Sequence, residues 1–204
     1  MIKLCKVIIA LMIGVPAYSA ALPSLKAKDL QGEWKQPCQI TVDQDVVKHS
    51  LQISGENWVW ISTGFEKNGC EVPYLSLRET KKALFTETGL LDLTLVKAEY
   101  LPQSPGVAKT LNEIHFCGLN NWLNGVAQEV SGLVCSDYKI PQRGENIYTI
   151  FKEESPQPTF VALSLGQAEP GFDGSSPEKR HRVLSVNPYY RMLSQAKKSI
   201  RKAQ

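Results

Sequence analysis

The side chains able to do chemistry in this chain are few and scattered. Its three histidines, His49, His115 and His181, show no i, i+4 pair of the kind that holds zinc on a helix. No Gly-x-Ser-x-Gly elbow accompanies them, and no Cys-x-x-Cys pair offers a metal two thiolates. Glu153-Glu154 and Asp43/Asp45 sit beside turns, where a solvated face is the default, and Asp173-Gly174-Ser175 falls far short of a calcium loop. No phosphate-cradling glycine loop is present, so no catalytic residue, metal or cofactor is predicted, and a non-enzymatic role is expected. The pattern that remains is aromatic. Trp58 and Trp60 stand two apart, hence on one face of a strand, and offer a wall to an apolar ligand or a sugar. His49 interrupts an otherwise apolar strand face beside them, and Trp122, flanked by Asn120 and Asn121, is placed at a cavity mouth. These four residues are the candidate ligand-binding set.

The elements that must carry them read as short strands. From Val47 to Ile53 apolar residues alternate with Lys48, Ser50 and Gln52; Gly55-Glu56 makes a two-residue turn, and Asn57 to Phe65 returns. Leu91, Leu93 and Leu95 alternate with Asp92 and Thr94, a strand buried on one side. Glu145 to Lys152 and Thr159 to Leu165 form a second hairpin across Ser155-Pro156-Gln157-Pro158. Strands of this length and spacing argue for an all-β sandwich or up-and-down barrel. Two segments break the rhythm. Asn120 to Val134 has the spacing of a short helix interrupted by Gly125. Asn187-Pro188 resembles a helix start, after which Tyr189, Met192, Leu193, Ala196 and Ile200 share one face, with Lys197, Lys198, Arg201 and Lys202 near the carboxyl end. A basic amphipathic helix is therefore expected over residues 187–204, packed outside a barrel of residues 21–186.

The amino terminus predicts export. Lys3 and Lys6 precede an apolar run from Val7 to Val15, and Ala17-Tyr18-Ser19-Ala20 presents small residues for cleavage. The run is too short for a bilayer core of about 30 Å, so residues 1–20 read as a cleavable signal peptide, and no later segment approaches transmembrane length. The mature chain is expected in a periplasm or secreted. Four cysteines survive cleavage: Cys38, Cys70, Cys117 and Cys135. An even count in an exported chain argues for two disulfides; three connectivities are open, of which the sequential one is simplest. Charge is uneven. Residues 21–177 carry thirteen basic against nineteen acidic side chains, and residues 178–204 carry eight against one. The basic end is suited to an anionic surface or a protein partner, while the acidic body and export disfavour nucleic acid.

Leu30-x-Gly32-x-Trp34 is similar to the first-strand motif of lipocalins and their calycin relatives. The wider order, from Gly32-x-Trp34-x-x-x-Cys38 through Phe65 and Cys70, Phe116-Cys117-Gly118, Trp122 and Gly132-x-x-Cys135 to Gly174-Ser175-Ser176-Pro177-Glu178-Lys179-Arg180, resembles small exported bacterial lipocalin-like proteins. Such proteins often read Arg-Pro where this chain has Arg180-His181. The resemblance implies a small antiparallel lipocalin-like β-barrel plugged at one end by Gly32 and Trp34, with two disulfides. The resemblance leaves an interior cavity open but does not by itself imply a bound ligand. Gly32-x-Trp34, the strand rhythm and the aromatic pair together lead to the expectation of a small apolar or amphipathic ligand, with a protein-interaction or inhibitor module acting through an exposed loop and the basic end as the alternative.

Overall fold

The computed structural model describes residues 30–41, 43–66, 69–87, 89–157 and 159–192. Eight strands form an antiparallel closed barrel: β1 (Gly32–Lys35), β2 (Val46–Ser54), β3 (Asn57–Phe65), β4 (Pro73–Glu87), β5 (Leu90–Pro102), β6 (Asn146–Gln157), β7 (Phe160–Gln167) and β8 (Tyr189–Met192). Neighbours in sequence are neighbours in the sheet, and closure is made by β1, which pairs with β2 through Trp34↔Leu51 and with β8 through Lys35↔Tyr190. Both expected hairpins form, but the second turns later than expected: its first strand runs on through Ser155-Pro156-Gln157, the stretch read as its breaker, with a register shift after Glu154. Gly55-Glu56 turns β2 into β3 with Ile53 opposite Trp58 and Leu51 opposite Trp60, and β6 returns as β7 with Phe151 opposite Leu165.

The two ends of the barrel differ. At the narrow end three tight turns join β2–β3, β4–β5 and β6–β7. There Leu30, Trp34, Leu51, Ile53, Trp58, Leu91, Leu93, Phe151, Val161 and Leu163 form one buried cluster, edged by Phe85, with Glu153 and Arg191 on the inward parity opposite Leu163 and Val161. Gly32 opens β1 at φ 115°, a conformation that a side chain strains, which ties the Gly-x-Trp spacing to the chain's entry into the barrel.

At the wide end the connections are long. The β5–β6 connection, residues 103–145, carries the helix α1 (Pro105–Glu113), whose amino end is capped by Ser104 with Pro105 in the first turn. This insertion folds over inward residues of β5, so that Leu95 and Ala98 join Ala108, Leu111, Cys117, Trp122, Val130, Cys135 and Ile140 in a second buried cluster. Two disulfides, in the sequential pairing, hold these loops: Cys38–Cys70 ties the β1–β2 connection to the β3–β4 connection, and Cys117–Cys135 closes the insertion on itself. In the loop-entropy view each bridge stabilises the fold by restricting the unfolded chain.

Two expected helices are corrected. Over 120–134 the chain runs as turns and extended segments, with Gly125 at φ 71° and Gln128–Glu129 paired to β5; the helix stands earlier, at Pro105–Glu113. At the carboxyl end the helix expected from residue 187 does not begin at Tyr189: Tyr189–Met192 is β8. Its backbone pairs with β7 (Leu163↔Tyr189 to Phe160↔Met192) and with β1, so two sheet edges that would otherwise stay open are both satisfied. That ladder outweighs the local capping signal of Asn187-Pro188. The barrel accordingly runs to residue 192 rather than 186. Residues 193–204, with the rest of the expected helix, and the expected signal peptide at 1–20 lie outside the described residues.

Candidate functional site

Between the two apolar clusters the barrel interior is polar. On β4, Glu79 and Lys81 share the inward parity of Leu77, Ala83 and Phe85 and stand opposite Trp60 and Trp58 on β3. Lys81 Nζ donates to Glu79 Oε2 at 3.0 Å, with the lysine side chain 8% and the glutamate 19% exposed. The same ammonium lies 4.6 Å from the centroid of the Trp60 ring. Two buried charges tolerate this position because each meets the other and the cation also meets an aromatic face.

Around that pair stand four further polar side chains, Tyr189, His49, Ser62 and Gln36. Trp60 Nε1 donates to the Tyr189 hydroxyl. Burial first, and the nearby Glu79 carboxylate second, push the Tyr189 pKa up to about 12 against the pull of that hydrogen bond. His49 Nδ1 and Ser62 Oγ lie 2.8 Å apart across the β2–β3 pairing, and burial lowers the pKa of the imidazole. Gln36, buried just past β1, donates through Nε2 to the Asn187 carbonyl.

This belt reaches solvent through a pocket of about 320 Å³ at the wide end, between the β1–β2 and β7–β8 connections. Gln36, Gln39, His49, Trp60, Gln167 and Tyr189 contribute to its walls, with Leu165, Ser185 and Asn187. The volume lies at the lower end of the roughly 300–1,000 Å³ of small-molecule sites. A larger concavity of about 600 Å³ lies on the outer wall, between Lys35, Lys48 and Met192. It sits where the described chain ends and shares only Gln36 with the interior polar belt, without His49, Trp60 or Tyr189, so the barrel mouth is the better candidate.

The candidate ligand residues separate in space. Trp60 and His49 both line the pocket. Trp58 faces the same interior, its ring centroid 5.5 Å from that of Trp60, but it is fully buried in the narrow-end cluster, where its Nε1 finds no hydrogen-bond partner. Trp122 belongs elsewhere: it is buried in the insertion, where Asn112 brackets its backbone at 2.7 and 3.0 Å, and Phe116 packs 5.9 Å away. Of the other histidines, His115 sits exposed at the end of α1 in a left-handed conformation, and His181 is buried with Nδ1 2.9 Å from Thr149 Oγ1. Glu33 points outward and pairs with Lys35 at 3.0 Å.

The sequence reading missed Gln36, Gln39, Glu79, Lys81, Gln167, Asn187 and Tyr189. For Glu79 and Lys81 a signal existed, since reading residues 73–87 as one strand puts both on the parity of Leu75, Leu77, Ala83 and Phe85. The carboxamides come from the β1–β2 connection, the end of β7 and the β7–β8 connection, far apart in sequence, and carry no local signature. Among the described residues no helix is long and apolar enough to cross a membrane. The chain matches no protein-family model, and no curated protein sequence matches it.

Proposed function

We propose that this chain is an exported, lipocalin-like barrel that binds a small amphipathic molecule at its wide end and performs no catalysis on it. The observation that carries the reading is the solvent-open pocket in which Trp60 and His49 meet the polar belt of the barrel interior. The narrow end is filled by side chains, so a long apolar cargo running down the barrel axis is disfavoured, and a compact ligand seated at the mouth fits better. Two disulfides in a chain with a signal-like amino terminus support an oxidising compartment, periplasmic or extracellular. Native mass spectrometry of the mature protein from its own host compartment tests this. A co-purifying small molecule, lost from a Trp60→Ala variant, is the expected result. A protein that is empty there, and whose Trp60 indole does not respond to any extract of that compartment, would sink the reading.

A second reading, a protein-interaction module, draws on the insertion. Ile114, Leu123, Val134 and Tyr138 are each more than half exposed on this disulfide-closed segment. Pull-down with the mature chain and with an Ile114→Glu, Leu123→Glu variant separates the two readings: a partner retained equally by both proteins counts against it.

A further inference from the structure

We infer that the ligand of the wide-end pocket is a neutral saccharide of one or two rings, held by a carboxamide ring around an aromatic wall. The inference rests on the ligand-binding reading above and narrows its chemical class.

Three carboxamide side chains at the mouth hold one another. Asn187 Nδ2 donates to Gln39 Oε1 at 3.4 Å, Gln39 Nε2 donates to Gln36 Oε1 at 3.0 Å, and Gln36 Nε2 closes the circuit on the main-chain carbonyl of Asn187 rather than on its side chain. Each primary amide has two N–H donors and an oxygen with two lone pairs, so this closed circuit fixes their orientation while leaving on each a further N–H or lone pair. Gln167 on the facing strand adds a fourth carboxamide to the wall. Groups that both donate and accept, already oriented by one another, match a hydroxyl, which also does both. A carboxylate or a phosphate, which only accepts, would leave their free lone pairs without a partner, and an ammonium, which only donates, their free N–H groups. Preorganisation of this kind lowers the ordering cost of binding.

The wall has little else to offer a charged ligand. Among the described residues lining the pocket none is an acid, a lysine or an arginine, and His49 is the single titratable base. The Glu79–Lys81 pair is closed on itself beneath the pocket. Lys81, whose ammonium sits over the Trp60 ring, does not itself line the pocket. The Trp60 surface in the wall is left for the C–H face of a sugar ring, and Leu165 continues that apolar strip. A fatty chain would cover the carboxamides without replacing their hydrogen bonds with water, at a cost for each group left unpaired.

The test uses the disulfide-intact mature protein labelled with ¹⁵N, following the Trp60 indole N–H resonance. The probes are glucose, galactose, maltose, cellobiose and N,N′-diacetylchitobiose, with glucose 6-phosphate as the charged control and N-phenyl-1-naphthylamine as the apolar one. At least one neutral sugar should shift the Trp60 resonance saturably. Asn187→Ala and Gln167→Ala, both at exposed positions that the fold tolerates, should each weaken that affinity tenfold or more. Equal affinity in both variants, or tighter binding of glucose 6-phosphate than of glucose, would overturn the inference. If only N-phenyl-1-naphthylamine binds, the saccharide class fails while the ligand-binding reading stands. If no probe binds at all, both fail.

Discussion

The Arg191 guanidinium lies 4.3 Å over the ring of Trp34, joining the last described strand of the barrel to the first. Trp34 is fully buried, and its Nε1 donates to the Leu30 carbonyl at 2.8 Å; Arg191 reaches past the ring to the Gln31 carbonyl. The seam between β1 and β8 therefore depends on a stacked cation as well as on its short ladder. Arg191→Ala should cost about 1–2 kcal/mol, the range for a partly desolvated cation–π contact, and Trp34→Ala about 3–5 kcal/mol through the cavity it leaves. Denaturant unfolding of the two single variants and the double variant checks both. A double-variant loss equal to the simple sum would show that the two side chains do not couple, contrary to their contact.

Alkaline pH should unfold the protein through Tyr189. Its pKa is raised from 10.0 to about 12 in the folded barrel, so between those values the unfolded chain loses the phenolic proton and the folded one keeps it. The contribution is fully present below pH 10 and declines as pH rises toward 12, to a total of about 2–3 kcal/mol. Tyr189→Phe should flatten this limb, read as the denaturant midpoint at successive pH values. The Tyr100 and Tyr138 pKa values are raised too, chiefly by burial, so a residual slope should persist.

On the acid side His49 acts with the opposite sign. Its folded pKa is lowered by burial, so below 6.5 the unfolded chain takes up a proton before the folded one does. Stability should fall as pH drops from 6.5 toward the folded value, and His49→Gln should remove that step from the midpoint profile. An unchanged acid limb in the variant would mean that His49 is solvated in the protein.

How much of this was legible in the sequence depended on distance along the chain. The β2–β3 hairpin was readable because alternation, a Gly55-Glu56 turn and the two tryptophans all lie within some twenty residues and agree. β4 was not, because Arg78, Glu79, Lys81 and Lys82 interrupt its apolar pattern, and two of those charges point inward, where a strand reading does not expect them. β8 was misread because the strongest local signal, Asn187-Pro188, is overridden by two sheet edges that the sequence does not display. The site was half legible. Trp60 and His49 announced themselves by residue type, but the carboxamides beside them are common surface residues until the barrel closes.

The buried pair on β4 should behave asymmetrically under substitution. Glu79→Gln or Lys81→Met alone leaves one charge in the interior, at an expected cost of about 3–5 kcal/mol. The double replacement Glu79→Leu, Lys81→Met removes both charges and should recover most of that loss. It should also shift the tryptophan emission, since Lys81 no longer sits over Trp60. Unfolding and fluorescence of the three variants decide it; a double variant weaker than either single would count against the pair being an isolated, self-neutralised unit.

Arg180 should prove irreplaceable by lysine. The loop from Gly174 to His181 lies against β6 through two backbone hydrogen bonds, Tyr148 N–H to the Gly174 carbonyl at 2.8 Å and His181 N–H to the Tyr148 carbonyl at 3.2 Å. Gly174 has φ 76°, and a side chain there would come within 2.8 Å of His181 Nε2, which explains a glycine at this point. From this loop Arg180 Nη1 donates to the Leu91 and Thr149 carbonyls at 3.1 and 2.9 Å, and Nη2 pairs with Asp92 Oδ1 at 2.6 Å. The Leu91 and Thr149 residues face each other across β5 and β6, so one guanidinium fastens the loop to both strands. Its guanidinium donates to two carbonyls and pairs with a carboxylate at once, which a single ammonium on a flexible stem does not reproduce. Arg180→Ala should cost about 2–4 kcal/mol from lost hydrogen bonds and the stranded Asp92 carboxylate, and Arg180→Lys should recover less than half. Amide exchange at Tyr148 and His181 locates the damage, because both should lose protection when the loop detaches. A lysine variant with wild-type stability and unchanged exchange at these two amides would show that charge alone, rather than the fork, holds the loop.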